Sequence, residues 1–330
     1  MTDLNALTLP DLYRELSSTG LVRRLLALAA EEDLDGPGDI TTLACLPVDR
    51  PGRAEIVARG PGVIAGLAAV PDALDVLAPG VRLLDAREDG SRVRAGDRLG
   101  VLDGGRHGIL RAERTILNLL GRLSGVATRT AQFVAAATAP DAGAGRTPAN
   151  PPQPRAGPVL VCDTRKTIPG LRVLEKYAVR CGGGWCHRLG LHDAVLIKDN
   201  HLAGVPLDGF ADFVAGAARR ARAGAAAARR SLRFIEVEAD GIDQFERILE
   251  VARREGGLID LVLLDNFAVV DIERCVAMRD SRAPRLVLEA SGGVTLESIA
   301  RIARTGVDRV SVGSLTHGAA WLDVALDALP

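Results

Sequence analysis

Residues 260–314, DLVLLDNFAVVDIERCVAMRDSRAPRLVLEASGGVTLESIARIARTGVDRVSVGS, decide the fold class of this chain. The stretch contains three short apolar runs, LVLLD, RLVLEAS and RVSVGS, and two amphipathic segments of helical length lie between them. Runs that are apolar at almost every position and alternate with helices are typical of a parallel sheet whose faces are covered by helices. The stretch therefore predicts an α/β domain.

The same alternation extends toward the N-terminus. Apolar runs of strand length recur as VLVCD at 159–163, DAVLIKD at 193–199 and RFIEVEAD at 233–240. Six such strands are too few for a complete eight-stranded barrel, but they allow a partial or irregular one. No strand is followed by a G-x-G-x-x-G pattern, which argues against a dinucleotide-binding fold.

The first part of the chain has a different pattern. Residues 9–30 have apolar positions at helical spacing with a break at 17–20, and residues 53–110 predict short strands separated by Gly, Pro and Asp. Residues 111–137 predict a further helix that is broken near Ser124-Gly125.

We predict two domains from this organisation. An N-terminal α/β domain occupies residues 1–112, and a second domain occupies residues 113–330, with its last helix packed back on the first domain. Residues 139–158 are rich in Pro, Gly and Ala and cannot bury an apolar face. They predict a flexible loop insertion.

The composition excludes several classes of protein. The formal net charge is −1, so the chain has no overall basic field for nucleic acid or a membrane surface. No apolar run approaches the ~20 residues that span a bilayer, and the N-terminal residues lack the pattern of a signal peptide. Five scattered cysteines suit a reduced protein better than a disulfide scaffold. We expect a cytoplasmic enzyme with small-molecule partners, and neither nucleic acid nor membrane as a partner.

Polar residues follow each of the six predicted strands. In β/α barrels the active site is built at the carboxyl ends of the strands. Charged residues also end strands without any function, but recurrence at all six strands favours a shared site. The residues are Asp163, Arg165 and Lys166; Lys198, Asp199 and Asn200; Glu236 and Glu238; Asp265 and Asn266; Glu289 and Ser291; Gly313 and Ser314.

Several cations lie at these strand ends. Arg165 and Lys166 are adjacent, and only Asp163 is near them in the sequence as an acidic partner. His187 and Arg188 form a second pair. Only three of the 41 basic residues are lysines, so a lysine at a strand end is unusual in this chain. Such a cluster favours a substrate with several negative groups: a phosphate, a diphosphate or a dicarboxylate.

Two glycine-containing loops predict a phosphate site. Ser291-Gly292-Gly293 follows one strand, Gly313-Ser314 follows the next, and Thr295 can cap the helix after the first loop. Backbone N–H groups that glycines leave accessible, together with a helix N-terminus, favour negative charge. Two ordinary βα turns would have the same composition, and that alternative stays open.

Glu238 and Asp265 offer carboxylates from neighbouring strands. Beside a phosphate they suit Mg²⁺ or ribose hydroxyls better than acid–base chemistry. A zinc site formed by other residues is a separate alternative. The spacing of its candidate ligands fits no common zinc finger, and the adjacent Cys186 and His187 would point apart. Its four candidate ligands are Cys181, Cys186, His187 and His192.

Eight short motifs occur in a specific order and spacing: GDITT, ERTILNLLGRLSGVAT, DTRKTIPGLR, HRLGLHDAVLIKDNH, EVE, LLDNF, SGGV and VGSLTH. From about Glu31 onward the chain resembles the quinolinate phosphoribosyltransferase family. The resemblance implies an N-terminal open α/β sandwich followed by an incomplete, about seven-stranded α/β barrel. It also implies a pentosyltransferase reaction of de novo NAD biosynthesis. In that reaction quinolinate and phosphoribosyl pyrophosphate, with Mg²⁺, give nicotinate mononucleotide, pyrophosphate and CO₂.

The resemblance further implies roles for individual residues. The implied catalytic residues are Lys166, Lys198, Glu238 and Asp265, with Lys166 close to the pyrophosphate. The implied quinolinate contacts are Arg114, Thr164, Arg165, Lys166, His187, Arg188 and Lys198. The implied phosphoribosyl pyrophosphate contacts are Glu238, Asp265, Ser291, Gly292, Gly293, Val312, Gly313 and Ser314. Glu238 and Asp265 would serve Mg²⁺ directly or through water, with no zinc and no nucleotide cofactor. In a homodimer, Arg114 would reach across into the partner's site.

Other functions remain as alternatives. A different phosphoribosyltransferase could use the same scaffold, but a clamp for two carboxylates favours quinolinate over nicotinate, which has only one. The stretch DGSRVRAGDRLGVLDG at 89–104 resembles the hairpin of a biotinyl or lipoyl carrier. A carrier needs a lysine at the hairpin tip, and residues 1–165 contain none. A non-catalytic binding protein would retain the phosphate loops without Glu238, Asp265 and the lysines.

Overall fold

The structure is a computed structural model that describes residues 3–48, 50–139 and 158–330. The predicted insertion at 139–158 therefore lies, apart from its two end residues, outside the described part of the chain. Among the described residues, no helix is both long and apolar enough to cross a membrane.

The contacts within the chain define two compact units. We call the first the barrel unit; it contains the described residues of Gln132–Arg165 and His187–Val312. We call the second the sandwich unit; it contains Asp3–Ala131, Lys166–Cys186 and Gly313–Pro330.

Three helices begin the sandwich unit: α1 (Leu9–Ser17), α2 (Leu21–Leu34) and α3 (Ile40–Cys45). The Thr8 side chain caps α1 by accepting a hydrogen bond from the Asp11 N–H at 3.3 Å. Gly20 separates α1 from α2 with a φ of +73°, a value that glycine adopts readily. The predicted break at 17–20 is therefore confirmed.

An antiparallel sheet and one helix follow in the sandwich unit. In chain order the elements are β1 (Pro51–Ala58), β2 (Gly62–Val63), α4 (Val70–Leu77), β3 (Arg82–Leu84), β4 (Arg92–Val93) and β5 (Arg98–Gly105). β5 lies between β1 and β3 and pairs antiparallel with both. β2 and β4 form a separate two-stranded ladder. The short strands predicted between residues 53 and 110 are present, although the GVIAGLAAV run forms only β2 before it turns into α4.

A single long helix, α5 (Arg106–Thr138), follows the sheet. The predicted break near Ser124-Gly125 is wrong. A Cβ at Gly125 would lie 2.1 Å from the Ala320 carbonyl oxygen, so the glycine allows close packing on an unbroken helix. The Ser124 hydroxyl accepts a hydrogen bond from the Ala65 N–H at 3.1 Å. The predicted domain boundary between residues 112 and 113 falls inside α5.

Strands and helices then alternate. In chain order they are β6 (Leu160–Cys162), α6 (Arg172–Cys181), β7 (Val195–Ile197), α7 (Asp199–Leu202), α8 (Leu207–Ala227), β8 (Ile235–Ala239), α9 (Ile242–Arg254), β9 (Leu261–Asp265), α10 (Val269–Arg282), β10 (Val287–Ser291), α11 (Leu296–Arg304) and β11 (Arg309–Ser311). All of these except α6 belong to the barrel unit.

The six strands of the barrel unit form one parallel sheet in the order β6-β11-β10-β9-β8-β7. Sheet neighbours are also neighbours in the chain, except that β11 returns to β6. This is the strand order of a barrel that is open between β6 and β7, and the structure gives no ladder between these two strands among the described residues. The predicted incomplete α/β barrel is confirmed, with six strands among the described residues instead of about seven.

The chain ends in a strand, β12 (Val324–Ala328), so the predicted last helix is wrong. Within the sandwich unit β12 pairs antiparallel with β1, from Ala54 opposite Ala328 to Ala58 opposite Val324. The pairing supplies sheet hydrogen bonds to an edge of β1 that would otherwise need other partners. The sheet order in this unit is β12-β1-β5-β3.

Candidate active site

The carboxyl ends of the six parallel strands lie at one edge of the barrel unit. Because the strands are parallel, the residues that end or directly follow them share that edge. Ser291, at the end of β10, stands in register with Asp265, at the end of β9. Lys198 directly follows β7, and Glu238 lies near the end of β8. These strand-end residues of the barrel unit therefore share one edge of its sheet.

Lys198 and Glu238 form an ion pair at this edge. The Lys198 ammonium contacts Oε2 of Glu238, and Oε1 of the same carboxylate accepts a hydrogen bond from the Asp199 N–H at 3.2 Å. The Glu238 side chain is only 4% exposed, whereas that of Lys198 is 42% exposed. A nearly buried carboxylate is thus satisfied by one partly exposed cation, which can also reach a ligand.

Arg165 and Arg188 bring two like charges together. Arg188 is buried, and burial is the main cause that lowers its pKa below the ordinary value; the nearby charge of Arg165 lowers it further. Arg188 also donates a weak hydrogen bond to the Ala194 carbonyl at 3.5 Å. Two neighbouring guanidinium groups with restricted access to water favour a bound anion, which would relieve their repulsion.

His187 lies at the centre of a buried polar cluster. Its N–H donates to Asp163 Oδ1 at 2.9 Å, which fixes the chain beside the end of β6. Its Nε2 lies 3.0 Å from a Glu236 carboxylate oxygen and 3.3 Å from one of Glu289. Its Nδ1 accepts a hydrogen bond from the Arg188 N–H at 2.8 Å. Both ring nitrogens therefore face protein groups, and the quinolinate contact expected of His187 stays a prediction.

The protonation of this cluster follows from its geometry. Burial by itself lowers the pKa of His187, but the charges of Glu289 and Glu236 outweigh burial and raise that pKa to about 10. An imidazolium would place a second N–H at Nδ1, against the N–H of Arg188. The carboxylates favour the imidazolium and the Arg188 N–H favours an unprotonated Nδ1, and both constraints leave a proton on Nε2, beside the two glutamates.

The same cluster resembles a metal site in composition. The ligand atoms of His187, Glu236 and Glu289 lie within 4.8 Å of one another, and all three residues are buried. However, a proton on Nε2 makes that nitrogen a donor to the carboxylates and not a metal ligand. Burial, and then the charge of Glu289, raises the pKa of Glu236. The three residues therefore form a close buried group of one imidazole and two carboxylates, whose Nε2 and carboxylate oxygens lie within ion-pair distance but make no hydrogen bond of good geometry with one another.

The loop after β10 packs against the end of β9. Asn266 has a φ of +55°, its N–H donates to the Ser291 carbonyl at 2.9 Å, and its side-chain amide donates to Asp265 at 2.7 Å. Gly292 has a φ of +96°, and a Cβ there would lie 2.1 Å from the Asn266 side-chain oxygen. Only glycine fits this position, which leaves the backbone of the loop accessible.

The remaining predicted residues divide between the two units. In the barrel unit, Thr164 follows β6, Gly293 is exposed with a φ of +57°, and the Val312 N–H donates to the Cys162 carbonyl at 2.9 Å. In the sandwich unit, Arg114 is exposed on α5. The other three members of the sandwich unit are Lys166, Gly313 and Ser314.

Within the sandwich unit, Lys166 and Gly313 lie side by side. A Cβ on Gly313 would be 3.0 Å from Cδ of Lys166, and the Thr316 hydroxyl donates to the Lys166 carbonyl at 2.7 Å. Arg129 on α5 donates to the Ser314 carbonyl at 2.6 Å. The cation and the glycine turn are therefore held together by the same small group of contacts.

Two models of known families match the chain. The model described as the N-terminal domain of quinolinate phosphoribosyl transferase matches residues 39–124, and the model of its C-terminal domain matches residues 126–327. The chain belongs to the quinolinate phosphoribosyl transferase family. The two matches meet inside α5, beside Gly125.

Individual proteins that are similar to this family member support the same assignment. The chain is 41% identical over 307 residues to nicotinate-nucleotide pyrophosphorylase (carboxylating) of Mycobacterium leprae, covering 92% of this chain and 96% of the relative. It is 32% identical to the chloroplastic enzyme of that name from Arabidopsis thaliana, covering 92% and 82%. The solved structure of nicotinate-nucleotide pyrophosphorylase from Francisella tularensis matches with a TM-score of 0.76 at 31% identity, covering 100% of both chains.

Some residues of the site were not selected from the sequence. The sequence places Asn266 at a strand end and indicates no role for it, although asparagine is enriched at left-handed backbone positions. Thr316 lies in the VGSLTH motif and Arg129 directly follows the ERTILNLLGRLSGVAT motif, and neither has a chemical signal of its own. Their contacts with Lys166 and Ser314 are visible only in the structure.

Proposed function

We propose that this chain transfers the phosphoribosyl group of phosphoribosyl pyrophosphate to quinolinate, with release of pyrophosphate and CO₂, in NAD biosynthesis. The single observation that carries the proposal is the proximity of Arg165 to the buried Arg188, whose pKa is lowered by burial and by the charge of Arg165. Two adjacent guanidinium groups suit a ligand with two adjacent carboxylates, and quinolinate is such a ligand. Membership of the family supports the same substrate.

Quinolinate is bound, in this proposal, mainly by cations of the barrel unit. Arg165 and Arg188 hold the carboxylates, and Lys198 adds a third positive charge at the same edge. The expected set of contacts is completed by Thr164, Lys166, His187 and Arg114. His187 also fixes the backbone at Arg188, since its Nδ1 accepts a hydrogen bond from the Arg188 N–H.

Phosphoribosyl pyrophosphate is bound through its hydroxyls and its phosphates. Glu238 and Asp265 accept hydrogen bonds from the ribose hydroxyls, and the 5′-phosphate binds the loop Ser291-Gly292-Gly293. The resemblance assigns Val312, Gly313 and Ser314 to the same phosphate and Lys166 to the pyrophosphate. Support for the loop comes from Gly292, whose position admits no side chain.

The carboxylates of Glu238 and Asp265 could serve Mg²⁺, but the existing contacts of Glu238 restrict how it could do so. Carboxylate oxygens are the ligands that Mg²⁺ prefers, and Glu238 and Asp265 provide them. Both oxygens of Glu238 already have nitrogen partners, so a contact of Glu238 through water fits better than direct coordination. When bound with the substrate, the ion would neutralise charge that develops on the departing pyrophosphate.

The residues of the chain then act by binding and orientation. The C1–O bond breaks, its electron pair leaves with the pyrophosphate, and Lys166 stabilises that charge. The clamp of Arg165 and Arg188 directs the quinolinate nitrogen at C1, where it forms the new C–N bond. The resulting pyridinium withdraws electrons, so the adjacent carboxylate departs as CO₂. The electron pair of the broken C–C bond stays on the ring carbon, which takes up a proton.

We further propose a cytoplasmic homodimer in which Arg114 enters the site of the partner subunit. Arg114 is exposed on α5, which is compatible with a role toward a second chain. The proposal includes neither nucleic acid nor a membrane as a partner. The net charge of −1 gives no overall basic field, and no described helix is long and apolar enough to cross a membrane.

The test is a product assay. Purified protein receives phosphoribosyl pyrophosphate, Mg²⁺ and either quinolinate or nicotinate, and both the mononucleotide and CO₂ are quantified. We expect equal amounts of mononucleotide and CO₂ from quinolinate and little product from nicotinate. Product from nicotinate alone, or from neither acid, would refute the proposed substrate. An Arg219→Ala variant, which changes an exposed ion pair with Glu255, serves as the control for purification.

A further inference from the structure

A buried ion pair joins two helices of the sandwich unit. Arg122 of α5 donates from Nε to Glu175 Oε1 of α6 at 2.9 Å, and its Nη2 contacts the same oxygen. The side chains are 7% and 0% exposed. The predicted catalytic and binding residues do not include either member of the pair.

The remaining polar atoms of the pair contact two loops. Arg122 donates to the Thr316 carbonyl at 2.8 Å and to the Ala319 carbonyl at 3.3 Å. Oε2 of Glu175 accepts a hydrogen bond from the Ile168 N–H at 3.1 Å. We call residues 166–170 the lysine loop and residues 313–319 the C-terminal turn. The ion pair thus anchors one loop through its carboxylate and the other through its guanidinium.

The two loops also contact each other. The Thr316 hydroxyl donates to the Lys166 carbonyl at 2.7 Å, and Gly313 leaves room for the Lys166 side chain. The position of Lys166 relative to Gly313 and Ser314 therefore depends on contacts that begin at Arg122 and Glu175. A shift of either anchor would move a cation relative to a glycine turn.

We propose that Arg122 and Glu175 are positioning residues that hold the lysine loop and the C-terminal turn in register for binding phosphoribosyl pyrophosphate. The proposal rests on the proposed function, since that function assigns Lys166 to the pyrophosphate and Gly313-Ser314 to the 5′-phosphate. Arg122 and Glu175 act through the loops and have no contact of their own with substrate.

The chemistry of the pair fits positioning better than stabilisation. A buried ion pair contributes little net stability compared with apolar residues of similar volume, because both charges lose their hydration. A guanidinium has five donors in one rigid plane, so it can fix a carboxylate and two carbonyls at defined angles. Arg122 uses its donors in this way, and lysine could not reproduce the arrangement.

The barrel unit offers a matched control. Arg279 is 2% exposed, pairs with Asp308 at 2.6 Å, and donates to the carbonyls of Leu286 and Gly306 at 3.0 and 3.3 Å. It resembles Arg122 in burial and in partners, but it contacts none of the predicted site residues. Arg279→Lys therefore reports the general effect of replacing a buried, fully bonded arginine.

The experiment compares Arg122→Lys with Arg279→Lys in the full chain. Steady-state kinetics gives KM for each substrate, and hydrogen exchange gives the protection of the two loops. For Arg122→Lys we expect KM for phosphoribosyl pyrophosphate to rise about tenfold, the effect of one or two lost charged hydrogen bonds, while KM for quinolinate changes less than about twofold. Exchange should rise at Ile168 and in the C-terminal turn. Arg279→Lys should show neither change.

A milder variant guards against a failure to fold. Thr316→Val removes the hydroxyl that donates to Lys166 without disturbing a buried charge, and it should raise the same KM selectively. An equal rise of both KM values, or equal exchange in the Arg122 and Arg279 variants, would overturn the inference. Absence of turnover in the unmodified protein would refute the proposed function. The hydrogen-exchange data would still test whether Arg122 and Glu175 anchor the lysine loop and the C-terminal turn.

Discussion

The ammonium of Lys198 contacts the carboxylate of Glu238 between the ends of β7 and β8. Our proposal assigns Lys198 to quinolinate and Glu238 to the ribose of the second substrate. One ion pair thus connects the residues expected to bind the two substrates. Glu238 is nearly buried, and its two oxygens contact this cation and the Asp199 N–H.

Removal of Lys198 should therefore affect both substrates. We expect Lys198→Ala to lower kcat/KM by about 100-fold, because the change removes a quinolinate contact and leaves a buried carboxylate without its cation. Steady-state kinetics with each substrate varied in turn measures the effect. The exposed pair Arg219 and Glu255 is the control, since Arg219→Ala should leave kcat/KM unchanged. An increase confined to KM for quinolinate would argue against the connection.

Replacement of Arg188 should separate activity from stability. Burial, and then the nearby charge of Arg165, lowers the pKa of Arg188, so we expect its charge to be disfavoured in the folded protein. Arg188→Gln should raise KM for quinolinate about 30-fold, because a charged hydrogen-bond donor is lost. The same variant should unfold at an unchanged or higher temperature. Calorimetry beside kinetics provides the check, and a large fall in the unfolding temperature would contradict this account of the repulsion.

Two adjacent glycines provide a matched pair for the phosphate loop. Gly292→Ala should lower the free energy of unfolding by about 3 kcal/mol, because the new Cβ displaces the Asn266 side chain at a position with positive φ. Gly293→Ala should lower it by only about 1 kcal/mol, since nothing lies within 4 Å of its Cβ and only the positive φ remains unfavourable. Urea unfolding distinguishes the two values. Equal losses would show that the contact with Asn266 is unimportant.

Mixing of two inactive variants tests the shared site. Arg114→Ala and Lys166→Ala should each abolish turnover with the fold intact, because both side chains are exposed. After exchange of subunits, about a quarter of the original activity should return, since half of the dimers are mixed and each has one intact site of two. Subunit exchange must be shown independently with labelled chains. No recovery despite proven exchange would exclude a contribution of Arg114 across the interface.

The parts of the fold that local pattern determines were predictable. A parallel strand covered on both sides is apolar along its length, so the six strands of the barrel unit and their polar ends are visible in the sequence. Gly125 shows the limit of such reasoning. A glycine in a helical stretch indicates a break, and only the approach of the Ala320 carbonyl explains why α5 continues through it.

The partners of charged side chains were also not predictable, because they too depend on how distant segments pack together. Arg122 and Glu175 are 53 residues apart, and Lys198 and Glu238 are 40 residues apart. Nothing local identifies such partners, because the choice depends on how separate elements pack. His187 is a further case at the site: its proximity to Glu236 and Glu289, which belong to other strands, is visible only in the structure, and its contact with quinolinate stays a prediction.

The pairing of β1 with β12 has a consequence for synthesis of the protein. The two strands are more than 260 residues apart in the chain, yet they are neighbours in one sheet. During translation β1 emerges early and must wait for β12 before that edge is covered. Contacts between such distant segments slow folding, and an uncovered strand edge can pair with other chains. A nascent chain of this protein is therefore expected to need protection of β1 on the ribosome until the C-terminal strand is released.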